Sequence, residues 1–62
     1  LRVEEIIDKA IELEKEAVKE YNQMKEDADA ETAELLDFLI AQEKEHIKLL
    51  SERKKAIKLL RK

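Results

Sequence analysis

Apolar residues in the first half of the chain recur in steps of three and four, at Val3, Ile6, Ile7, Ala10, Leu13, Ala17, Tyr21 and Met24. Such spacing marks one face of an α-helix. The second half repeats the pattern with Leu36, Leu39, Ile40, Ile47, Leu50, Ile57 and Leu60. Between them lies EDADAET, residues 26 to 32, which has no large apolar side chain. Within it Asp29 suits the N-cap of a second helix. The pattern predicts a single helical hairpin over residues 1–62, with helix 1 over about 2–27, a turn at about 28–29 and helix 2 over about 30–61. With no glycine in the chain, the C-cap of helix 1 lacks its usual device.

Two long helices joined by a short turn run antiparallel. Each spans roughly 40 Å at 1.5 Å per residue. Two helices cannot enclose stripes this wide, so one side of each stays open. A second hairpin would cover it, and the expected fold is all-α: an antiparallel two-helix hairpin that dimerises into a four-helix bundle. Leu35, Phe38, Leu49 and Leu59 make the helix 2 stripe wider than one partner helix needs. Deep seating of helix 2 and assembly beyond a dimer both fit that width.

Composition narrows the possible chemistry. At 62 residues a lone core is marginal without a staple. The absence of Cys removes disulfides and thiolate metal sites, and the absence of Gly removes a Gly-rich phosphate loop. Charged residues reach 47%, but the 44% that are apolar are periodic, which favours a folded helical protein over a disordered chain. No apolar run approaches the ~20 residues of a membrane span, so no membrane partner is expected. No signal-peptide pattern is visible, and a cytoplasmic setting is expected. The chain begins at Leu1 rather than at a methionine, so residues are expected to be missing from one or both ends.

Charge is uneven along the chain. Residues 1 to 47 carry 15 acidic and 6 basic side chains, whereas residues 48 to 62 carry 7 basic and 1 acidic. The basic end, SERKKAIKLLRK, reads as a solvated helix terminus whose cations suit the helix dipole. A nucleic-acid surface is the weaker reading, because no aromatic residue interleaves with the bases and the net charge is −3.

Three polar residues fall on the apolar stripes. Glu14 lies four residues after Ala10 and three before Ala17, whereas Glu12, Lys15, Glu16 and Lys19 turn away from that line. Glu43 follows Leu39 and Ile40, and His46 stands three residues further on, so both side chains can reach one point. In a hairpin centred on Asp29, Glu14 and Glu43 stand at nearly the same height. Ala10, Ala17 and Ala41 are small neighbours that would leave room there. Taken singly, a histidine on an apolar face is more often a hydrogen-bonded core residue, and a glutamate there often reaches the rim. Together they form a cluster with no Arg in reach, and buried carboxylates cost several kcal/mol each unless compensated. A divalent metal compensates carboxylates beside a neutral imidazole. A two-fold copy of the hairpin gives four Glu and two His, whose four negative charges match two divalent cations.

AIELEKEAVKEYNQM followed by LIAQEKEHIKLL resembles the ferritin-like di-iron carboxylate superfamily, especially rubrerythrin and the encapsulated ferritins. Members of this group take a Glu from each of two helices and a Glu-x-x-His from each of the other two. The resemblance implies that Glu14 is the ligand of the first helix, Glu43 the bridging carboxylate and His46 the terminal nitrogen ligand. It implies two iron ions per dimer, with zinc or manganese as substitutes. Tyr21, seven residues after Glu14, matches the tyrosine beside the site in these proteins, where it would hydrogen-bond a liganding carboxylate. Read on its own, Tyr21 is equally a core aromatic with its hydroxyl at the rim. Rubrerythrin carries two such hairpins in one chain. This chain has one, and in that respect it is more similar to the encapsulated ferritins, which build the site between two chains. It lacks the Cys of a rubredoxin-type centre and has no stretch beyond the second helix of the kind that docks encapsulated ferritins into a protein shell. An encapsulating shell, as partner or as compartment, is therefore implied by the resemblance alone.

The expected function is that of a ferroxidase-like protein, oxidising Fe(II) with oxygen or peroxide at a site shared between two chains. Two other readings compete. One is a structural or interaction homodimer in which metal only staples the bundle. The other is a metal-free hairpin that binds another protein through its wide apolar stripe.

Overall fold

The computed structural model describes residues 2–60. Helix α1 runs over Val3–Lys25 and helix α2 over Ala30–Leu60, with no strand among the described residues. The two pack antiparallel as a hairpin 51 × 17 × 10 Å in extent. The expected extension of the second helix to residue 61 lies outside the described residues.

Helix α1 ends two residues earlier than its periodicity suggested. The N–H groups of Glu26, Asp27 and Ala28 donate to the carbonyls of Gln23, Met24 and Lys25 at 3.2, 3.1 and 3.3 Å. These three-residue bonds tighten the chain and use carbonyls that the helix end would leave bare. Among the described residues none takes a positive φ, so the turn is made without glycine. Asp29 then caps α2: its Oδ1 accepts from the Thr32 N–H at 2.9 Å and its carbonyl accepts from the Ala33 N–H at 2.8 Å. Hydrogen bonding by Thr32, from its side chain first and its backbone second, holds the Asp29 carboxyl below its ordinary value.

The wide apolar stripe divides into two. A seam between the helices buries Ile7, Leu36 and Ile40 and half-buries Ala10, Ile11, Ala17, Val18, Leu39, Ile47 and Ile57. Ile11 and Val18 lay off the stripe expected from spacing; they join the seam because the helix faces its partner along the line of Ile7, Ile11, Glu14 and Val18. A second stripe is left open. Val3, Ile6, Leu13 and Met24 on α1, and Leu35, Phe38 and Leu49 on α2, are each more than half exposed. Most of these stand one residue before a seam position: Ile6 before Ile7, Leu13 before Glu14, Leu35 before Leu36, Leu49 before Leu50. One residue turns a helix by about 100°. Because the helices are antiparallel, the same turn carries both open stripes to one side of the hairpin.

The opposite side is charged. Residues that follow a seam position include Asp8, Lys15, Lys19, Asp37, Lys44 and Lys48, all exposed. Two ion pairs tie the helices along that side, Lys25 Nζ to Asp37 Oδ1 at 2.5 Å and Lys54 Nζ to Asp8 Oδ1 at 2.6 Å. Partly exposed pairs of this kind are worth roughly 0.2–1 kcal/mol each.

The accessible surface is 5122 Å². A compact monomer of 7.3 kDa exposes about 4,200 Å². The excess of about 900 Å² follows from the elongated two-helix shape, which leaves one stripe uncovered. No helix among the described residues is long and apolar enough to cross a membrane.

Candidate metal centre

Glu14, Glu43 and His46 come together at mid-height on the hairpin. Glu14 reaches the seam because it continues the line of Ile7 and Ile11, and Glu43 because it continues that of Leu36 and Ile40. Both carboxylates are half-buried, with side chains 26% and 21% exposed. His46 Nδ1 stands 3.6 Å from Glu14 Oε2 and 3.9 Å from Glu43 Oε2. One ligand atom from each of the three residues lies within 4.8 Å of the others.

The histidine differs from expectation. Spacing placed it on the core stripe, yet its side chain is 53% exposed. The reason is angular: His46 stands one residue before Ile47, so it projects about 100° from the seam line, toward the open apolar side. The cluster is therefore rooted in the seam and opens onto that side. Ala41, expected to leave room at the site, follows Ile40 and is exposed on the charged side instead. Ala10 and Ala17 do flank Glu14 as half-buried small residues. Tyr21 is half-buried on the same helix, about 10 Å along the axis from Glu14. That distance sets it in the seam beside the cluster rather than within it.

One atom fits a cation directly. Glu14 Oε2 is buried with no hydrogen-bond partner. A carboxylate oxygen shielded from water and left unpaired costs at least ~1–3 kcal/mol. At 3.6 Å the imidazole is too far to satisfy it as a hydrogen bond. A metal between the three side chains would meet that oxygen. Two ligand atoms on one ion at about 2.1 Å are at most ~4.2 Å apart, so both His46 separations already lie in range. Two oxygens and an imidazole nitrogen suit Fe(II), Mn(II) or Zn(II). The ion pairs Lys25–Asp37 and Lys54–Asp8 lie well along the rod from the cluster, whose carboxylates have His46 and no lysine as basic partner among the described residues. Spacing missed those clasps, because stripe analysis follows apolar positions and both pairs sit at its edge.

An uncharacterized protein of Archaeoglobus fulgidus (strain ATCC 49558 / DSM 4304 / JCM 9628 / NBRC 100126 / VC-16) is 64% identical to this chain over 59 residues, covering 95% of this chain and 94% of that protein. No protein-family model matches the chain, and no solved structure matches it.

Proposed function

This chain belongs to one family with the Archaeoglobus fulgidus protein, and we propose that its working site is a two-metal carboxylate centre built between two copies of the hairpin. The observation that carries this reading is the convergence of Glu14, Glu43 and His46 on one point, with a buried carboxylate oxygen left unpaired. The cluster opens onto the uncovered apolar side, so a second copy seated there brings a second Glu-Glu-His set against the first. Four carboxylates and two imidazoles balance two divalent ions. The resulting four-helix bundle is of the ferritin-like kind that the sequence resembles.

Within that frame the activity that fits best is ferroxidase-like oxidation of Fe(II). Two ferrous ions together supply the two electrons that reduce dioxygen to peroxide, or peroxide to water, with uptake of two protons. The protein's residues set the conditions. Glu14 and Glu43 concentrate negative charge where cations would bind, and both would hold the metal together with His46. His46 adds a neutral donor and so limits the charge of the site. The apolar side chains around the cluster exclude water once the second copy is seated. Tyr21 stands close enough along α1 to contribute a hydrogen bond at the edge of the site.

A stapling role for the metal is the second reading. It is favoured by the size of the core, since only Ile7, Leu36 and Ile40 are buried among the described hydrophobic residues. Turnover separates the two. The purified protein is loaded with Fe(II) without oxygen, its mass and metal content are measured, and oxygen is then admitted. A dimer that binds two Fe(II) and consumes oxygen as they oxidise supports the ferroxidase reading. Stoichiometric metal without oxidation faster than free Fe(II) would leave the staple, and a chain that binds no metal would end both.

A further inference from the structure

The hairpin gathers lysines from both helices onto its charged side. Lys15 and Lys19 follow the seam positions Glu14 and Val18 on α1. Lys44, Lys48, Lys55 and Lys58 follow Glu43, Ile47, Lys54 and Ile57 on α2. All six are exposed, and none of them is in an ion pair among the described residues. The acids on that side are mostly engaged: Asp8 with Lys54, Asp37 with Lys25 and Glu12 with Lys9, while Glu4 stands near one end of the row. The other carboxylates lie on the outer flanks, in the seam or at the turn, so this side is positive although the chain carries a net −3. With Glu14 level with Glu43, Lys19 stands level with Phe38. The row from there to Lys58 is therefore about 30 Å long.

We propose that this lysine side binds the phosphate backbone of double-stranded nucleic acid without reading its sequence. At 3.4 Å per base pair the row spans about nine pairs. The hairpin is 17 Å across its two helices, wider than the ~12 Å major groove, so this side rides over the groove and meets phosphates rather than base edges. A single strand is a poorer fit. Proteins that hold one stack its bases on aromatic rings, whereas Tyr21 lies in the seam and Phe38 on the far flank of α2. An anionic membrane is also a poorer fit. Among the large exposed hydrophobic residues of the described chain, only Leu59 lies on this side, at its end, so no apolar face accompanies the lysines into a lipid surface. The lysine side is opposite the open apolar side. Covering the latter leaves it free, and its charge does not depend on the metal centre.

The test is fluorescence anisotropy with a labelled DNA duplex of about 20 base pairs, roughly twice the length of the row. Two unrelated sequences should bind within about twofold of each other, since only the backbone is touched. Six phosphate contacts should cost about 10³-fold in affinity between about 50 and 200 mM salt. Two variants of equal charge locate the surface. Lys44→Gln with Lys48→Gln removes two members of the row and should weaken binding at least about tenfold at the lower salt. Arg2→Gln with Arg53→Gln removes two bases on other faces and should change it by less than about twofold. Circular dichroism on both checks that each stays helical. Equal losses in the two variants would overturn the assignment to this side, and so would a duplex left unbound at the lower salt. A single strand of the same sequence that binds more tightly than the duplex would overturn the choice of duplex. Vesicles of anionic phospholipid bound in preference to the duplex would overturn nucleic acid as the partner.

Discussion

Glu14 on α1 and His46 on α2 face each other across the hairpin, Oε2 to Nδ1, at 3.6 Å. They lie 32 positions apart in sequence, and the packing of α1 on α2 through Ile7, Leu36 and Ile40 brings them together. Glu43, one turn before His46, completes the group from the same helix. The arrangement leaves a buried oxygen of Glu14 unpaired, and that oxygen makes the cluster more than a surface ion pair.

Metal should raise the melting temperature of the protein. Binding to the folded state alone contributes RT ln(1 + [L]/Kd), about 2.7 kcal/mol at a hundredfold excess over Kd. Fe(II), Mn(II) or Zn(II) should each give a clear rise, and Glu43→Ala should abolish it. Differential scanning of wild type and variant, with and without metal, checks this. A variant that keeps the full shift would remove Glu43 from the ligand set.

His46→Ala separates a ligand from a packing residue. The side chain is more than half exposed, so little cavity opens and urea stability of the metal-free protein should change by less than about 1 kcal/mol. Fe(II) oxidation should fall to a small fraction of the wild-type rate. Protonation of the imidazole competes with the metal, so wild-type affinity should weaken with acid more steeply than that of His46→Ala. Unchanged oxidation with lowered stability would refute the ligand role.

Acid should cost the protein the cap of α2. Hydrogen bonding from Thr32 lowers the pKa of Asp29 on folding. A carboxyl depressed in this way contributes stability above its unfolded pKa and loses it as pH falls through the folded value. Asp29→Ala should therefore be less stable than wild type at neutral pH, with the gap closing at strongly acidic pH. Urea titrations at several pH values measure the gap, and a constant difference would show that ionisation of Asp29 is not its source.

Substitutions on the two stripes should act differently. Leu36→Ala empties a buried seam position and should cost about 2–5 kcal/mol at any protein concentration. Leu13→Asp places a charge on the open side, where Leu13 is 54% exposed. It should leave the hairpin helical and shift the solution mass toward monomer. Sedimentation at two concentrations, with circular dichroism on the same samples, reads both effects. A Leu13→Asp protein with unchanged mass would show that this side is not the one a second copy covers.

Much of this was legible in the chain. Local spacing indicated two helices, and Asp29, in a segment free of large apolar side chains, suited the cap. The Glu14, Glu43 and His46 triplet could be picked out because polar residues on an apolar stripe contradict the pattern around them. The end of α1 was harder to place, because a turn built from three-residue hydrogen bonds uses backbone alone and leaves no glycine as a marker.

Sequence by itself determined that the chain forms two amphipathic helices, where they divide, and which polar residues break the apolar pattern, since all of these depend on neighbours within a turn or two. Only the tertiary structure decided how the broad stripe divides into a seam and an open side. It brought Ile11 and Val18 inward, left Leu13, Phe38 and Leu49 uncovered, and turned His46 to the rim. Periodicity fixes which residues share a helix face, but the rotation of one helix about its axis is set by its partner. A difference of one residue, about 100°, separates half-buried Ile47 in the seam from exposed His46 at its rim.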